Sequence, residues 1–231
     1  MTNTIRHEII SGRECYIFGQ PEATYLFIQP VDEHDLELLD NEVEEISRMS
    51  TKSYSLVAFK INDWNKELTP WSAPPVFGKE PFGDGAEETL SYVADMLLPA
   101  LKEKGFETNH CYLGGYSLAG LFSLWVAYQT DKFAGIVAAS PSVWFPHWMN
   151  YVMDRKAFPK SVYLSLGDKE ERTKHPVMSQ VGVAIRKQYE LLVGQDIKAT
   201  LEWNVGNHFV DSEKRMAKGF AWLMNNDNPK Q

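Results

Sequence analysis

The sequence predicts an α/β protein: a mostly parallel sheet of eight strands with helices on both faces. Three observations lead there. Short runs rich in β-branched and aromatic residues alternate with segments of helical period, the pattern of a parallel sheet wound with helices. From the third strand candidate onward, each strand is followed by a helix or a long loop. With 231 residues, 44% of them hydrophobic and 23% charged, the chain is long enough to bury a sizeable core without metal or disulfide. We read it as one domain over 1–231 that ends in a polar tail, 225–231.

Residues 5–10 and 15–18 read as two strands split by Ser11-Gly12, a hairpin signal. Residues 24–29 (TYLFIQ) read as a short buried strand that ends at Pro30. In 34–49, Leu36, Leu39, Val43, Ile46 and Met49 recur three or four apart, which predicts an amphipathic helix with a solvated acidic face. Residues 54–61 form another buried strand. The irregular stretch 62–84 holds four prolines and two tryptophans, and a loop of that length in a compact domain is usually functional. Residues 87–104 are helical by period, with Pro99 predicting a kink and Gly105 a cap.

A strand over 110–114 then leads into a helix over 117–130. A strand over 133–139 precedes an aromatic, partly helical segment, 141–158. A strand over 161–166 precedes a charged loop, 167–175. The helix over 176–193 is bounded by Pro176 and Gly194. A last strand, 197–203, and a last helix, 211–224, complete the alternation.

Acidic residues outnumber basic ones, 31 to 23, for a formal charge of −8. Such a field repels phosphate backbones and anionic lipid, so neither nucleic acid nor a membrane surface is an expected partner. No apolar run reaches the roughly 18 residues that a membrane-spanning helix needs. Residues 1–10 carry Arg6, His7 and Glu8 where a signal peptide needs an apolar core, so a cytoplasmic location is expected. The two cysteines, Cys15 and Cys111, read as reduced core fillers. The sequence contains no HExxH, no close cysteine pair, no Walker loop and no GxGxxG, so neither a metal nor a cofactor is expected.

The chemistry is carried by Gly115-Tyr116-Ser117-Leu118-Ala119-Gly120, where strand gives way to helix. A serine on so sharp a turn is held in a strained conformation that lifts its hydroxyl above the sheet. The residues two before and two after must be small, and Gly115 and Ala119 are. A serine hydroxyl attacks well only when a base takes its proton, and histidine has the suitable pKa. Of six histidines, His208 falls in a glycine-containing loop between the last strand and the last helix, as the chain order Ser, acid, His requires. His110 would approach from the wrong end of the sheet, since sites in parallel sheets form at the carboxyl ends of the strands. The acid belongs after the preceding strand, where Asp168, Glu170 and Glu171 compete. Gly-x-x-Glu spacing from Gly167 favours Glu170.

Two backbone donors should face the developing oxyanion. The expected ones are the N–H of Leu118 and, because Pro30 has none, the N–H of Val31. Tyr116 beside the nucleophile, with Trp64 and Trp144, are the candidate substrate contacts. Trp71, Phe77, Phe145 and Trp148 also fall in nearby loops, and for any one aromatic the competing reading is closure of the core.

With these residues placed, the chain resembles the α/β-hydrolase family that includes enterochelin esterase, esterase D and the mycolyltransferase antigens. The matching pieces are GGYSLAGLFSLW (114–125), SPSVWF (140–145), LSLGDKEERTKHP (164–176) and GNHF (206–209). YLFIQPVD (25–32) is similar to the family's strand before its oxyanion loop, without that loop's Asp-Gly. Where siderophore-type members tend to carry an arginine, this chain has Asn62-Asp63-Trp64-Asn65. The resemblance implies an α/β-hydrolase fold and a Ser117–Glu170–His208 triad that works through an acyl-enzyme, without cofactor. No insertion is long enough for a separate cap domain, so an open cleft and a small soluble ester are expected. An acyltransferase with the same triad, and a catalytically silent binding protein, are the competing readings.

Overall fold

The computed structural model describes residues 4–76 and 78–226. Eight strands form one sheet: β1 (Arg6–Ile10), β2 (Arg13–Phe18), β3 (Tyr25–Val31), β4 (Tyr54–Lys60), β5 (Cys111–Tyr116), β6 (Gly135–Ala139), β7 (Ser161–Gly167) and β8 (Lys198–Asn204). Their order is β1-β2-β4-β3-β5-β6-β7-β8. β1 and β2 form a hairpin, and β2 lies antiparallel on β4; from β4 to β8 every pairing is parallel. The hairpin turns at Ser11 and Gly12, both at positive φ, 49° and 85°. That is the backbone a two-residue turn needs if it is to match strand twist.

The helices are α1 (Glu33–Met49), α2 (Trp64–Glu67), α3 (Ala86–Ser91), α4 (Leu98–Glu103), α5 (Ser117–Val126), α6 (Trp148–Met153), α7 (Val181–Val193) and α8 (Ser212–Asn226). The sheet separates two apolar cores. Successive residues of β3 alternate between them, with Leu26 and Ile28 on one side and Phe27 and Val31 on the other. α1 and α8 cover one face through Leu39, Val43, Ile46, Met216, Phe220 and Leu223. The helices from α3 to α7 cover the other, with Leu97, Leu101, Leu121, Val152 and Ile185 buried there.

Two elements differ from expectation in informative ways, and a third shows how an expected disturbance is absorbed. The irregularity expected at Pro99 takes the form of a change of helix type. Pro99 has no N–H to offer the Asp95 carbonyl, and a π-helical turn, Tyr92–Leu97, joins α3 to α4 and absorbs the mismatch. β3 continues through Pro30 to Val31. Its pairing with β5 ends at Ile28, so the missing Pro30 donor falls where no ladder bond is due. The acidic side of α1 is not wholly solvated: Glu42 is only 3% exposed and accepts a hydrogen bond from Gln29 of β3 at 3.2 Å. Of the predicted segments, Phe77 and most of the polar tail lie outside the described residues. Among the described residues, no helix is long and apolar enough to cross a membrane.

Candidate active site

The turn from β5 into α5 places Ser117 at φ 56°, left-handed backbone that an L-residue adopts only when its surroundings force it. The forcing contact is visible. A Cβ built on Gly115 would fall inside the backbone of Ala119, so glycine is required where strand and helix cross. Leu118 sits in the first turn of α5, where backbone N–H groups have no intrahelical acceptor.

His208 lies in the loop between β8 and α8, as chain order predicts. Its Nε2 is 3.0 Å from the Ser117 hydroxyl, and its Nδ1 is 2.8 Å from Glu170 Oε2. Glu170 follows β7 in a single 3₁₀ turn, Glu170–Arg172. Its other oxygen, Oε1, accepts three bonds: from the Gly167 N–H at 2.7 Å, the Ser140 hydroxyl at 2.7 Å and Arg215 Nη1 at 3.0 Å. Burial pushes this carboxyl up, but the hydrogen bonds and charge of His208, with the Ser140 and Gly167 bonds, outweigh it and leave it below the ordinary value. An ionised Glu170 can only accept, which puts the proton on Nδ1 and leaves Nε2 free to accept from Ser117.

The two rival carboxylates do other things. Asp168 Oδ1 accepts from the Gly206 N–H at 2.9 Å and so ties the histidine loop to the end of β7. Glu171 points outward to Arg186, with contacts of 2.8 and 3.1 Å. Among the other histidines, the backbone carbonyl of His110 bonds to Leu26 at the start of β3, the opposite end of the sheet. His175 Nδ1 accepts from the Met178 N–H at 3.3 Å and helps shape the turn before α7.

The expected role of Val31 is corrected. The N–H and C=O of a strand residue point to the same neighbour. The Val31 carbonyl accepts from Ile61 after β4, so its N–H also faces β4, away from Ser117. The next N–H, that of Asp32, lies 3.3 Å from Asp35 Oδ2 in the capping box that starts α1. Tyr116 is corrected as well. It is buried, and its hydroxyl donates to the His208 carbonyl at 2.8 Å and accepts from Arg215 Nη1 at 3.0 Å. It braces the histidine loop and does not line the cleft.

That cleft, of about 480 Å³, opens beside His208. Its apolar wall is Trp144, Met178, Val181 and Phe209, and Lys169 and Arg172 stand among them. Trp144 is therefore where the sequence places it, while Trp64 packs half-buried against the core. Trp148 and Phe145 are core residues, and Trp71 donates its indole N–H to the Pro146 carbonyl at 2.9 Å. Phe209 is 88% exposed at the rim.

Two residues escaped sequence reasoning. Arg215 of α8 is 1% exposed and reaches Glu170, Ser140, Tyr116 and the Asn207 carbonyl, each within 3.0 Å. Ser140, at the end of β6, holds φ 44° and bridges Arg215 to Glu170. The readable signal for Arg215 was its spacing: it stands four residues before Gly219 and eight before Leu223, on the buried stripe of α8. Among the described residues no cluster of His, Cys, Asp and Glu is arranged to hold a metal ion.

No protein-family model matches the sequence, and no curated protein matches it. Solved structures do. An IroE-like serine hydrolase from Shewanella oneidensis aligns at TM-score 0.78 and 16% identity, over 96% of this chain and 80% of that one. The siderophore hydrolase EstA from Aspergillus nidulans aligns at 0.73 and 18% identity, over 98% and 96% of the two chains. The enterobactin esterase FES from Shigella flexneri aligns at 0.69 and 15% identity, over 98% of this chain and 60% of that one. The eight-stranded sheet, its strand order and these likenesses together give the chain the α/β-hydrolase fold.

Proposed function

We propose that the protein is a serine hydrolase of carboxylic esters. The observation that carries this reading is the unbroken line of hydrogen bonds from Glu170 through His208 to a serine on a strained turn. In this reading the Ser117 oxygen attacks the ester carbonyl while His208 Nε2 takes its proton. The N–H of Leu118, at the positive end of α5, stabilises the oxyanion. As the C–O bond of the ester breaks, His208 returns the proton to the leaving alcohol. Water, activated by the same imidazole, then releases the acid and restores Ser117.

The cleft supports a substrate class. Its apolar wall fits an aliphatic or aryl group. Lys169 and Arg172 have no ion-pair partner among the described residues, and they stand beside Glu170, whose charge is engaged by His208 and Arg215. Although the chain carries a net charge of −8, the two cations at the mouth, neither in an ion pair among the described residues, favour locally an ester that carries negative charge. The structure named an enterobactin esterase shares ester cleavage with this reading.

A fluorophosphonate probe and a p-nitrophenyl ester test the proposal. Labelling at Ser117 is expected, with turnover in Ser117→Ala and in His208→Ala lower by roughly 10⁶-fold. A folded protein that takes no label ends the enzymatic reading. A competing alcohol separates hydrolysis from transfer, and acid is expected to exceed the transfer product.

A further inference from the structure

We propose that Arg215 is a positioning residue that keeps Glu170 ionised and holds the loops bearing Ser117, Glu170 and His208 in register. This rests on the reading of the preceding section. The argument starts from cost. A guanidinium that is 1% exposed has lost nearly all its hydration, and a buried ion pair is weak evidence for stability, since apolar replacements often do as well. What the pair does is therefore sought in the site it touches.

Arg215 touches the ends of four strands at once. Nη1 donates to Tyr116, which directly precedes Ser117, at 3.0 Å, to Ser140 after β6 at 2.9 Å, and to Glu170 after β7 at 3.0 Å. Nη2 donates to the carbonyls of Asn207 at 2.8 Å and Val205 at 3.4 Å, on either side of Gly206 in the histidine loop after β8. The planar fork of the guanidinium suits this divergent set, and the ammonium of lysine reaches fewer partners. The fixed φ of Ser140, 44°, aims its hydroxyl to accept from Arg215 and donate to Glu170.

The electrostatic consequence follows. The titratable and charged groups that face Glu170 are His208, Arg215 and Tyr116, with Lys169 and Arg172 beside it at the cleft. Without Arg215, the buried carboxylate of Glu170 keeps the His208 and Gly167 bonds but loses an ion-pair partner and the group that fixes the Ser140 hydroxyl, and burial then weighs more toward its neutral form. Glu170 then takes up a proton more readily. A protonated Glu170 no longer holds the imidazole in the tautomer that accepts from Ser117.

The test uses Arg215→Met and Arg215→Lys, with thermal melts to establish folding. In Arg215→Met, kcat is expected to fall roughly 10–100-fold with little change in KM, the magnitude seen when groups that orient a catalytic ligand are lost. The acidic limb of kcat/KM is expected to move up by about one pH unit or more. Arg215→Lys, which keeps the charge, is expected to recover most of the limb's position but less of kcat. A second readout does not depend on turnover. The downfield Nδ1 proton of His208, followed by NMR, is expected to vanish at higher pH in Arg215→Met than in the wild type. If Arg215→Met does not fold, Arg215→Lys and Ser140→Ala carry the same two readouts. A folded Arg215→Met with kcat within threefold, or with an unmoved limb and an unmoved His208 resonance, overturns the proposal. An inactive, unlabelled wild type with the resonance still dependent on Arg215 overturns the hydrolase reading instead.

Discussion

Glu42 gives the sharpest prediction for stability. It lies on the buried side of α1, and burial, with Asp35 and Glu213 adding repulsion, pushes its carboxyl up from 4.5 to about 8, against the opposing bond from Gln29. Its Oε1, like Oε1 of Gln29, is buried without a partner, so this pocket has more acceptors than donors. A proton on Glu42 turns one acceptor into a donor. The linkage has a definite sign: a carboxyl raised on folding contributes fully below its unfolded value, and that contribution is lost as pH rises toward the folded one. At ~1.4 kcal/mol per pH unit, the interval from 4.5 to about 8 sets a ceiling near 5 kcal/mol, and relaxation around the ion reduces it to about 2–3 kcal/mol. Glu42→Gln is neutral at every pH and keeps the shape. It is therefore expected to match the wild type at pH 4.5 and to exceed it by roughly 5–8 °C in Tm at pH 8, at about 2–4 °C per kcal/mol for a chain of this size. Asp35, raised to about 7 by burial and by Asp32, titrates in both proteins and largely drops out of the difference. Circular-dichroism melts across pH 4.5–8 measure it. A Tm gap that does not grow with pH, or a variant less stable at pH 8, refutes the reasoning.

Two further predictions concern the site. Glu170→Gln is expected to cost roughly 10²–10⁴-fold in kcat while Glu171→Gln stays within about threefold, as steady-state kinetics on one ester will show. For the cleft, the p-nitrophenyl hemiester of a dicarboxylic acid is expected to exceed its methyl-capped neutral counterpart about tenfold in kcat/KM at low salt. Added salt and the double variant Lys169→Gln/Arg172→Gln should erase that preference and leave the neutral ester unaffected. Equal rates for the two esters in the wild type would remove the cationic mouth from the account.

Much of the fold was legible because parallel strands buried on both faces read as near-continuous apolar runs, and β3 to β7 are such runs, interrupted only by residues such as Gln29, Ser55 and Ser165. The site was legible where chain order and backbone need coincide. Gly115 and Ala119 had to be small, His208 had to follow the last strand, and Glu170 had to stand just past β7. What stayed hidden depended on which way a group faces. Pro30 looked like the end of a strand, which made Val31 look like a loop donor, yet the strand runs on and turns Val31 toward β4. Glu42 read as part of a solvated acidic face, and Arg215 drew no reading, because charge is normally solvated. Their positions on the apolar stripes of α8 and α1 were the only local sign that each is buried against the sheet. Tyr116 looked like a substrate contact from its place beside Ser117, but its hydroxyl is taken up by the loop it braces.

The relay joins groups 91 positions apart, and its deepest member, Arg215, belongs to the helix after the imidazole. During synthesis the serine therefore emerges long before either the base or the guanidinium. In the proposed mechanism a nascent chain has no competent nucleophile until α8 seats itself against β6 and β7, so hydrolysis would begin only as the tertiary structure is completed. On that reading, reactivity toward a fluorophosphonate would double as a clock for the final docking step in refolding.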